Sequence, residues 1–496
     1  MNDHEKSHPP VVPAKHRNKA AGAVADGVEG RGGTKGNLAG QNTHRTQSRA
    51  SVTSALGRVR EAARRDRTMK FTSLLHHVTV ERLRSAYGEL NRGAAVGIDG
   101  MTWTEYGRRL DQNLIELHDR VHRGAYRPQA GRRVFIAKAD GTRRPLAIVS
   151  MEDKIVQRAV NEVLNAIYEE DFYGFCHGFR PRRGTHDALD ALSVALQRKR
   201  VNWVLDADIQ SFFDTMGHEW LRKFLEHRIG DQRVIRLILK WLKAGVMEDG
   251  EWTASEEGSP QGGTISPLLA NVYLFYAFDQ WAHRWRKKVA TGDVVIVRYA
   301  DDFVVGFERR EEAEKFQAAL SERLGKFGLK LHPKKTRILE FGRYAAERRE
   351  KRGERKPETF TFLGLTHICA TDRKGRFAVK RVTSQKRMTR KLHELREELI
   401  RRRHDPIPEQ GKWLRSVIRG FDAYHGVPGN IDALSAFRKG IFRLWRQALS
   451  RRSQNGTVSV ERMARVSTRW FPAAKVVHPW PEQRFDAKTQ GRNRMR

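Results

Sequence analysis

Two short acidic stretches set among β-branched residues are the chemically pointed features of this chain. In VVIVRYADDFVVGF, residues 294–307, the adjacent carboxylates Asp301 and Asp302 interrupt two apolar runs. Neighbouring acids repel one another unless they are solvated or share a cation. Turns favour Asp for its local hydrogen bonding, so a plain β-turn is the competing reading. A second acidic strand end shifts the balance: Asp206-Ala207-Asp208, followed by Ile209 and, after two more residues, Phe212-Phe213-Asp214. Brought side by side in one sheet, the two ends would hold a pair of Mg²⁺ ions about 4 Å apart. One ion would activate a 3′-hydroxyl; the other would bind a triphosphate and stabilise the departing pyrophosphate. Asp206 shares a strand face with Asp208 and would otherwise be a solvated or capping group.

The elements needed to position these acids are visible in the apolar spacing. VNWVLDADI (201–209) predicts a strand running into a turn, and 294–307 predicts a hairpin whose tip is Tyr299 to Asp302. Ile155, Val156, Val160, Val163, Leu164 and Ile167 recur at helical spacing, as do Phe316, Leu320, Leu324 and Phe327. Leu268, Leu269, Val272, Tyr273 and the stretch from Phe275 to Trp281 predict a largely buried helix. Strand, helix, hairpin and helix in that order predict an α+β domain whose antiparallel sheet is covered on one face.

Around this block the composition changes. Residues 1–55 are rich in Gly, Ala, Arg, Thr and Gln and read as a disordered basic tail. Residues 56–130 lead into a central block over 131–370. Beyond 371 the chain is expected to be basic and helical, with RKLHELREELIRRRH as its clearest helix. Residues 371–496 hold 31 Lys and Arg against 11 Asp and Glu, about +20 of a formal total of +36. A helical segment over 371–455 is thus followed by a basic, Pro-broken tail over 456–496, which would contact nucleic acid or simply be extended. A solvated face would account for Arg401 to Arg403 alone; a phosphate backbone accounts better for the whole run.

The whole chain has 94 Lys and Arg against 58 Asp and Glu. That excess argues against a typical enzyme of small metabolites and for a polyanionic partner, nucleic acid first. Two cysteines, Cys176 and Cys369, are too few for a zinc ribbon or a disulfide framework, and the chain reads as cytoplasmic. The N-terminus lacks an apolar signal segment, and no apolar run approaches the roughly 20 residues that would span a bilayer, so no membrane partner is expected.

Ordered motifs from about residue 56 to 455 resemble the reverse transcriptases encoded by bacterial group II introns, the intron maturases. Gly97-Ile98-Asp99-Gly100 resembles their N-terminal extension motif. Arg132 to Leu146, and Gly174 to Pro181 with His186 to Leu189, resemble the two finger motifs. The Asp208 segment resembles palm motif A, and Gly258 to Gly263 with Ser266 to Asn271 the motif after it. Tyr299 to Asp302 is the catalytic turn, and Gly328 to Thr336 and Phe362 to Gly364 close the palm.

The resemblance implies a right-hand polymerase of fingers and palm with a helical thumb, also called the X or maturase domain. It implies Asp208, Asp301 and Asp302 as catalytic residues, and a metal site of those three with Ile209 for two Mg²⁺ ions. Phe213 would be the aromatic gate beneath the nucleotide sugar, against an ordinary core Phe. Gln261 would contact the incoming nucleotide, and its flanking glycines would let backbone approach the template pair. Lys138 and Arg144 would hold the triphosphate, and Lys335, in competition with Lys334, would neutralise pyrophosphate. His186 reads as structural. In the thumb, Trp413, Phe421 and Trp445 read as core.

The implied partners are a group II intron RNA, an RNA template with a DNA primer, deoxynucleoside triphosphates and target DNA. The implied activities are copying RNA into DNA and assisting intron splicing. Many relatives end in a nuclease with paired cysteines and a His-Asn-His signature. Residues after 455 carry neither, which implies the form without that domain. Two alternatives stand beside this reading: another bacterial reverse transcriptase of retron or diversity-generating type, and an RNA-binding splicing factor that has lost polymerisation. The extension motif and the long basic thumb argue against the first, and the intact acids argue against the second.

Overall fold

A computed structural model describes residues 55–137, 143–248, 250–254, 257–258, 262–452 and 456–489. The expected N-terminal tail therefore lies outside the described residues, apart from its last position.

A helical lead-in of α1 (Val80–Glu89), α2 (Trp103–Gly107) and α3 (Leu110–His122) precedes the first sheet. Its motif glycine and acid act as a joint. Asp99 accepts from the Met151 amide at 3.1 Å. A Cβ on Gly97 would lie 2.7 Å from Ser150 Cα, so only glycine lets the two segments touch. Strands β1 (Gly131–Ala137) and β2 (Arg143–Ile148) form an antiparallel hairpin. Helix α4 (Met151–Asp171), capped by the Ser150 hydroxyl, and α5 (Thr185–Arg198) follow.

The central unit continues with β3 (Trp203–Ala207), α6 (His218–Glu226), α7 (Gln232–Leu242), β4 (Val246–Glu248) and β5 (Glu251–Thr253). Helix α8 (Ser266–Leu274) runs through a π-helical turn, Phe275–Asp279, into α9 (Gln280–Lys288). Then come β6 (Val294–Tyr299), β7 (Asp302–Phe307), α10 (Arg310–Gly325), β8 (Arg337–Glu340) and α11 (Ala345–Lys351). The palm sheet has the order β6-β7-β3-β8 and is antiparallel throughout. Alternation divides its residues. Leu205, Ala207, Ile296, Phe303, Val305 and Phe307 face a large core shared with α4, α8 and α10. Val204, Val295, Val297 and Val304 face a second core with α5. The finger sheet, β2-β1-β4-β5, contains one parallel pair, with Gly131 opposite Val246.

A third sheet is built from β9 (Phe360–Phe362), β10 (Leu365–Thr371) and β11 (Phe377–Thr383). The expectation of helix directly beyond 371 fails at β11. There FAVKRVT pairs along its whole length with β10, and Arg381 is drawn inside by Asp190 at 2.8 Å. The thumb begins at α12 (Gln385–Arg401) and continues through α13 (Ile407–His425) and α14 (Ile431–Ser450). Phe421 and Trp445 lie in its core, and Trp413 packs partly buried against it.

Residues 456–489 are not a simple tail. Helix α15 (Val460–Trp470) buries Met463, Ser467 and Trp470, and α16 (Pro481–Thr489) returns to the palm and packs along α5. Arg198 pairs with Asp486 at 2.8 Å and Lys488 with Asp187 at 2.6 Å. Among the described residues no helix is long and apolar enough to cross a membrane.

Candidate active site

The hairpin of β6 and β7 closes with Tyr299 opposite Asp302, leaving Ala300 and Asp301 as a two-residue loop. Ala300 has φ +57°. A positive φ at the first loop residue only is the pattern of a type II′ turn, where glycine is the usual occupant. An alanine held there stores about 1 kcal/mol or more of backbone strain. On the neighbouring strand, Ala207 pairs with Phe303, so Asp208 comes beside Asp302 at the sheet's end. Period-2 alternation then puts Asp206, Asp208 and Asp302 on the face opposite the large core. The acids occupy the face that valines fill further along the same strands.

Their charges are crowded. Loss of hydration, then repulsion from Asp301, Asp208 and Asp206, raises the Asp302 carboxyl to about 7. The residue is nonetheless exposed by surface area. The two facts agree for a group on the floor of a cleft, open to water from one side and walled by protein elsewhere. Asp206 rises to about 6, through burial and the Asp208 charge, against the opposing pull of Arg337 at 3.8 Å. The Lys335 ammonium donates to Asp208 Oδ2 at 2.6 Å. Burial works against that ammonium, but the bond to Asp208 and the fields of Asp302 and Asp301 outweigh it and raise its pKa.

The expected metal site is present in its donors but not in a closed geometry. Among the described residues no three His, Cys, Asp or Glu side chains are placed to hold an ion as they stand. Lys335 stands beside Asp208 among these acids. The hard carboxylate oxygens themselves suit a cation of the Mg²⁺ type. Beyond Asp208 the chain pairs with 330–332. The His332 amide donates to the Asp208 carbonyl at 2.8 Å, and the Gln210 amide to the Lys330 carbonyl at 2.9 Å. Ile209 sits between these bonds, in an isolated antiparallel bridge with Leu331, and its side chain is buried.

The remaining expected residues fall into three groups. Phe213 is half-buried, edge-on to Phe212 at 5.4 Å and to Phe179 at 6.5 Å, and Phe179 in turn lies 6.5 Å from Tyr299. Lys335 is in the cluster, and Lys334 is its exposed neighbour. Lys138 and Gln261 lie outside the described residues, and Arg144 is placed only through its backbone in β2, opposite Ile136. The glycines flanking Gln261 approach protein backbone rather than open space. A Cβ on Gly258 would fall 2.7 Å from the Phe213 carbonyl, and one on Gly262 2.5 Å from the Ala147 carbonyl. Gly258 thus abuts the Phe213 segment and Gly262 the finger hairpin. The His186 ring lies tilted against that of His478, their centroids 3.8 Å apart, and burial pushes its pKa down to about 2, as suits a neutral structural ring.

Sequence reasoning missed a buried layer directly behind the turn. Arg298, one residue before Tyr299, is fully buried and paired with the equally buried Asp279. Asn271 and Cys176, both parts of recognised motifs, touch the same guanidinium. The available signal was a charge inside each of two otherwise apolar segments, VVIVRY and FYAFDQW.

The comparisons with known proteins point the same way. A family model described as reverse transcriptase (RNA-dependent DNA polymerase) matches residues 136–367. Protein YkfC of Escherichia coli strain K12 is 36% identical over 276 residues, covering 49% of this chain and 71% of that protein. The group II intron-encoded protein LtrA of Lactococcus lactis subsp. cremoris is 41% identical over 203 residues, 40% of this chain and 32% of LtrA. An uncharacterised 91 kDa protein in a cob intron of Schizosaccharomyces pombe is 44% identical over 144 residues, 29% of this chain and 18% of that protein. The match thus covers most of the first of these relatives and a third or less of the other two. The chain belongs to the reverse transcriptases, the RNA-dependent DNA polymerases, in company with group II intron-encoded proteins.

Proposed function

We propose that the chain copies a group II intron RNA into DNA from a DNA primer and also binds that intron RNA to assist its splicing. The observation that carries the first half is the meeting of Asp208, Asp301 and Asp302 with Lys335 at one sheet end. Asp208, Asp301 and Asp302, with the Ile209 carbonyl, would hold two Mg²⁺ ions, which supply Lewis acidity to the primer hydroxyl and the triphosphate. Lys335 would leave Asp208 as the triphosphate enters and offer its ammonium to the pyrophosphate. Phe213 would press against the sugar and leave no room for a 2′-hydroxyl, which selects deoxynucleotides. Lys138, Arg144 and Gln261 would complete the nucleotide pocket from the fingers, Arg144 through its bidentate fork.

The thumb supports the second half. A groove of about 890 Å³ there is lined by Arg438, Lys439, Arg443 and Arg446 with Phe442. Cations along an apolar floor suit an RNA backbone and an unstacked base. Target DNA would be engaged by the same basic surface.

Primer extension on poly(rA)/oligo(dT) with Mg²⁺ tests the polymerase reading. Wild type should incorporate dTTP, and Asp301→Ala should not. A folded, RNA-binding wild type that incorporates nothing would sink it. Intron splicing at low Mg²⁺ tests the second activity, which should survive Asp301→Ala; its loss in the folded variant would overturn the division of labour between palm and thumb.

A further inference from the structure

We propose that Arg298 is a positioning residue for catalysis, the keystone of a buried cradle that sets the height of the acidic turn over Asp208. The proposal rests on the polymerase reading above and adds a residue to it.

A guanidinium has five N–H donors in a fixed plane, and at Arg298 every one has a partner. Nε donates to Asp279 Oδ1 at 2.7 Å. Nη2 donates to Asp279 Oδ2 at 2.5 Å and to Cys176 Sγ at 2.9 Å. Nη1 donates to Asn271 Oδ1 at 3.1 Å and to the Ala300 carbonyl at 2.8 Å. Three separate pieces of chain are thereby tied to one plane: the α8 and π-turn segment, the finger motif at Cys176, and the turn itself.

The backbone repeats the same joint. The Arg298 amide donates to the Phe175 carbonyl, and the His177 amide to the Arg298 carbonyl, both at 2.9 Å. Asn271 Nδ2 donates to the Gly178 carbonyl at 2.7 Å. Gly178 presses directly on the turn, since a Cβ there would stand 2.2 Å from the Ala300 amide nitrogen. Ala300 is therefore held from two sides, its carbonyl by Arg298 and its amide face by Gly178. That clamp accounts for an alanine persisting at φ +57°.

Stability alone is a poor reason for such an arrangement. A fully buried ion pair loses much of its Coulombic gain to desolvation, and well-packed apolar residues often serve a core as well or better. The π-helical turn ends at Asp279, and such insertions are found disproportionately at functional sites. What the cradle supplies is a fixed register between the turn acids and Asp208, which face each other across β7 and β3.

The test uses the full chain, with wild-type primer extension as the control on the polymerase reading itself. Arg298→Lys keeps the charge opposite Asp279 but has three donors on a flexible stem in place of five in a plane. It should still fold and bind template–primer, with an unfolding midpoint lowered by the buried acceptors left unpaired. Its kcat should fall by about tenfold to a hundredfold and its half-saturating Mg²⁺ rise by about tenfold, the usual scale for losing an outer partner of metal ligands. KM for dTTP should stay within about threefold, since no nucleotide contact is removed. Gly178→Ala, which alters no charge and pushes only on the turn, should reproduce this signature. A folded Arg298→Lys with wild-type kcat and Mg²⁺ requirement would overturn the proposal. If Arg298→Lys does not fold, a folded Gly178→Ala with wild-type values does the same. Failure of both variants to fold assigns the cradle to stability and likewise overturns it. An inactive wild type defeats the polymerase reading and leaves the variants to be compared by Mn²⁺ titration, where the same rise in half-saturation is expected and its absence refutes the cradle.

Discussion

Replacing Lys335 by methionine should move ion affinity and turnover in opposite directions, an outcome that general damage to the site does not produce. The Lys335 ammonium is bound to Asp208 Oδ2 at 2.6 Å. Any divalent cation must displace it. Two unit charges about 4 Å apart attract by roughly 4 kcal/mol at an effective dielectric of about 20. The Lys335 side chain is 60% exposed, although Asp208 is only 17% exposed. Solvent screening therefore draws the pair toward the ~1 kcal/mol of surface ion pairs. A competition term of about 1–2 kcal/mol corresponds to about fivefold to thirtyfold in ion affinity. Lys335→Met should lower the half-saturating Mg²⁺ or Mn²⁺ by that factor, read both by primer extension and by calorimetric Mn²⁺ titration without nucleotide. Turnover at saturating ion should nevertheless fall by about tenfold, because pyrophosphate loses its cation. An unchanged or raised half-saturation in the folded variant would refute the competition.

Other perturbations probe separate parts of the molecule. Phe213→Val should reduce discrimination against ribonucleotides by at least about tenfold in the ratio of kcat/KM values; retained discrimination would return Phe213 to the core. Asp190→Ala removes the partner of Arg381, which is 1% exposed, and should cost about 3–5 kcal/mol in denaturant unfolding. A loss below about 1 kcal/mol would show that water reaches Arg381. Arg443→Gln with Arg446→Gln should weaken intron RNA binding and flatten its dependence on log salt by about one to two units while leaving the fold intact. An unaltered slope would remove the thumb groove from the RNA interface.

The palm was legible because its signals are local. β-branched runs around a two-residue acidic tip read as a hairpin, and the pairing of Tyr299 with Asp302 is the structure's version of that tip. Phe421 and Trp445 were legible as core of the helical unit because they are large and apolar within the stretches that resemble the thumb. The Arg298 layer was not, because its meaning depends on Asp279 nineteen positions earlier and Cys176 far upstream. Alone, an arginine in a strand reads as an edge or surface residue. Helices α15 and α16 were hidden for a related reason. Their basic composition suggests solvent, while Met463 and Trp470 in one and Phe485 in the other supply the buried faces. Strand β11 was masked by its lysine and arginine, although buried Val379 and Arg381 alternate with half-exposed or exposed neighbours. The glycines near Gln261 signalled close approach, but not to what.

Asp190 has a mechanical meaning beyond its ion pairs. One of its oxygens accepts from Arg381 on β11, the last strand before the thumb, and the other from Arg484 on α16, the helix after it. A single carboxylate on α5 thus fastens both the entry and the exit of the helical unit to the palm. The thumb is closed like a handle fixed at two bolts rather than hung from one hinge. Swinging free of the palm would require breaking both, together with the pairs of Asp486 with Arg198 and of Lys488 with Asp187.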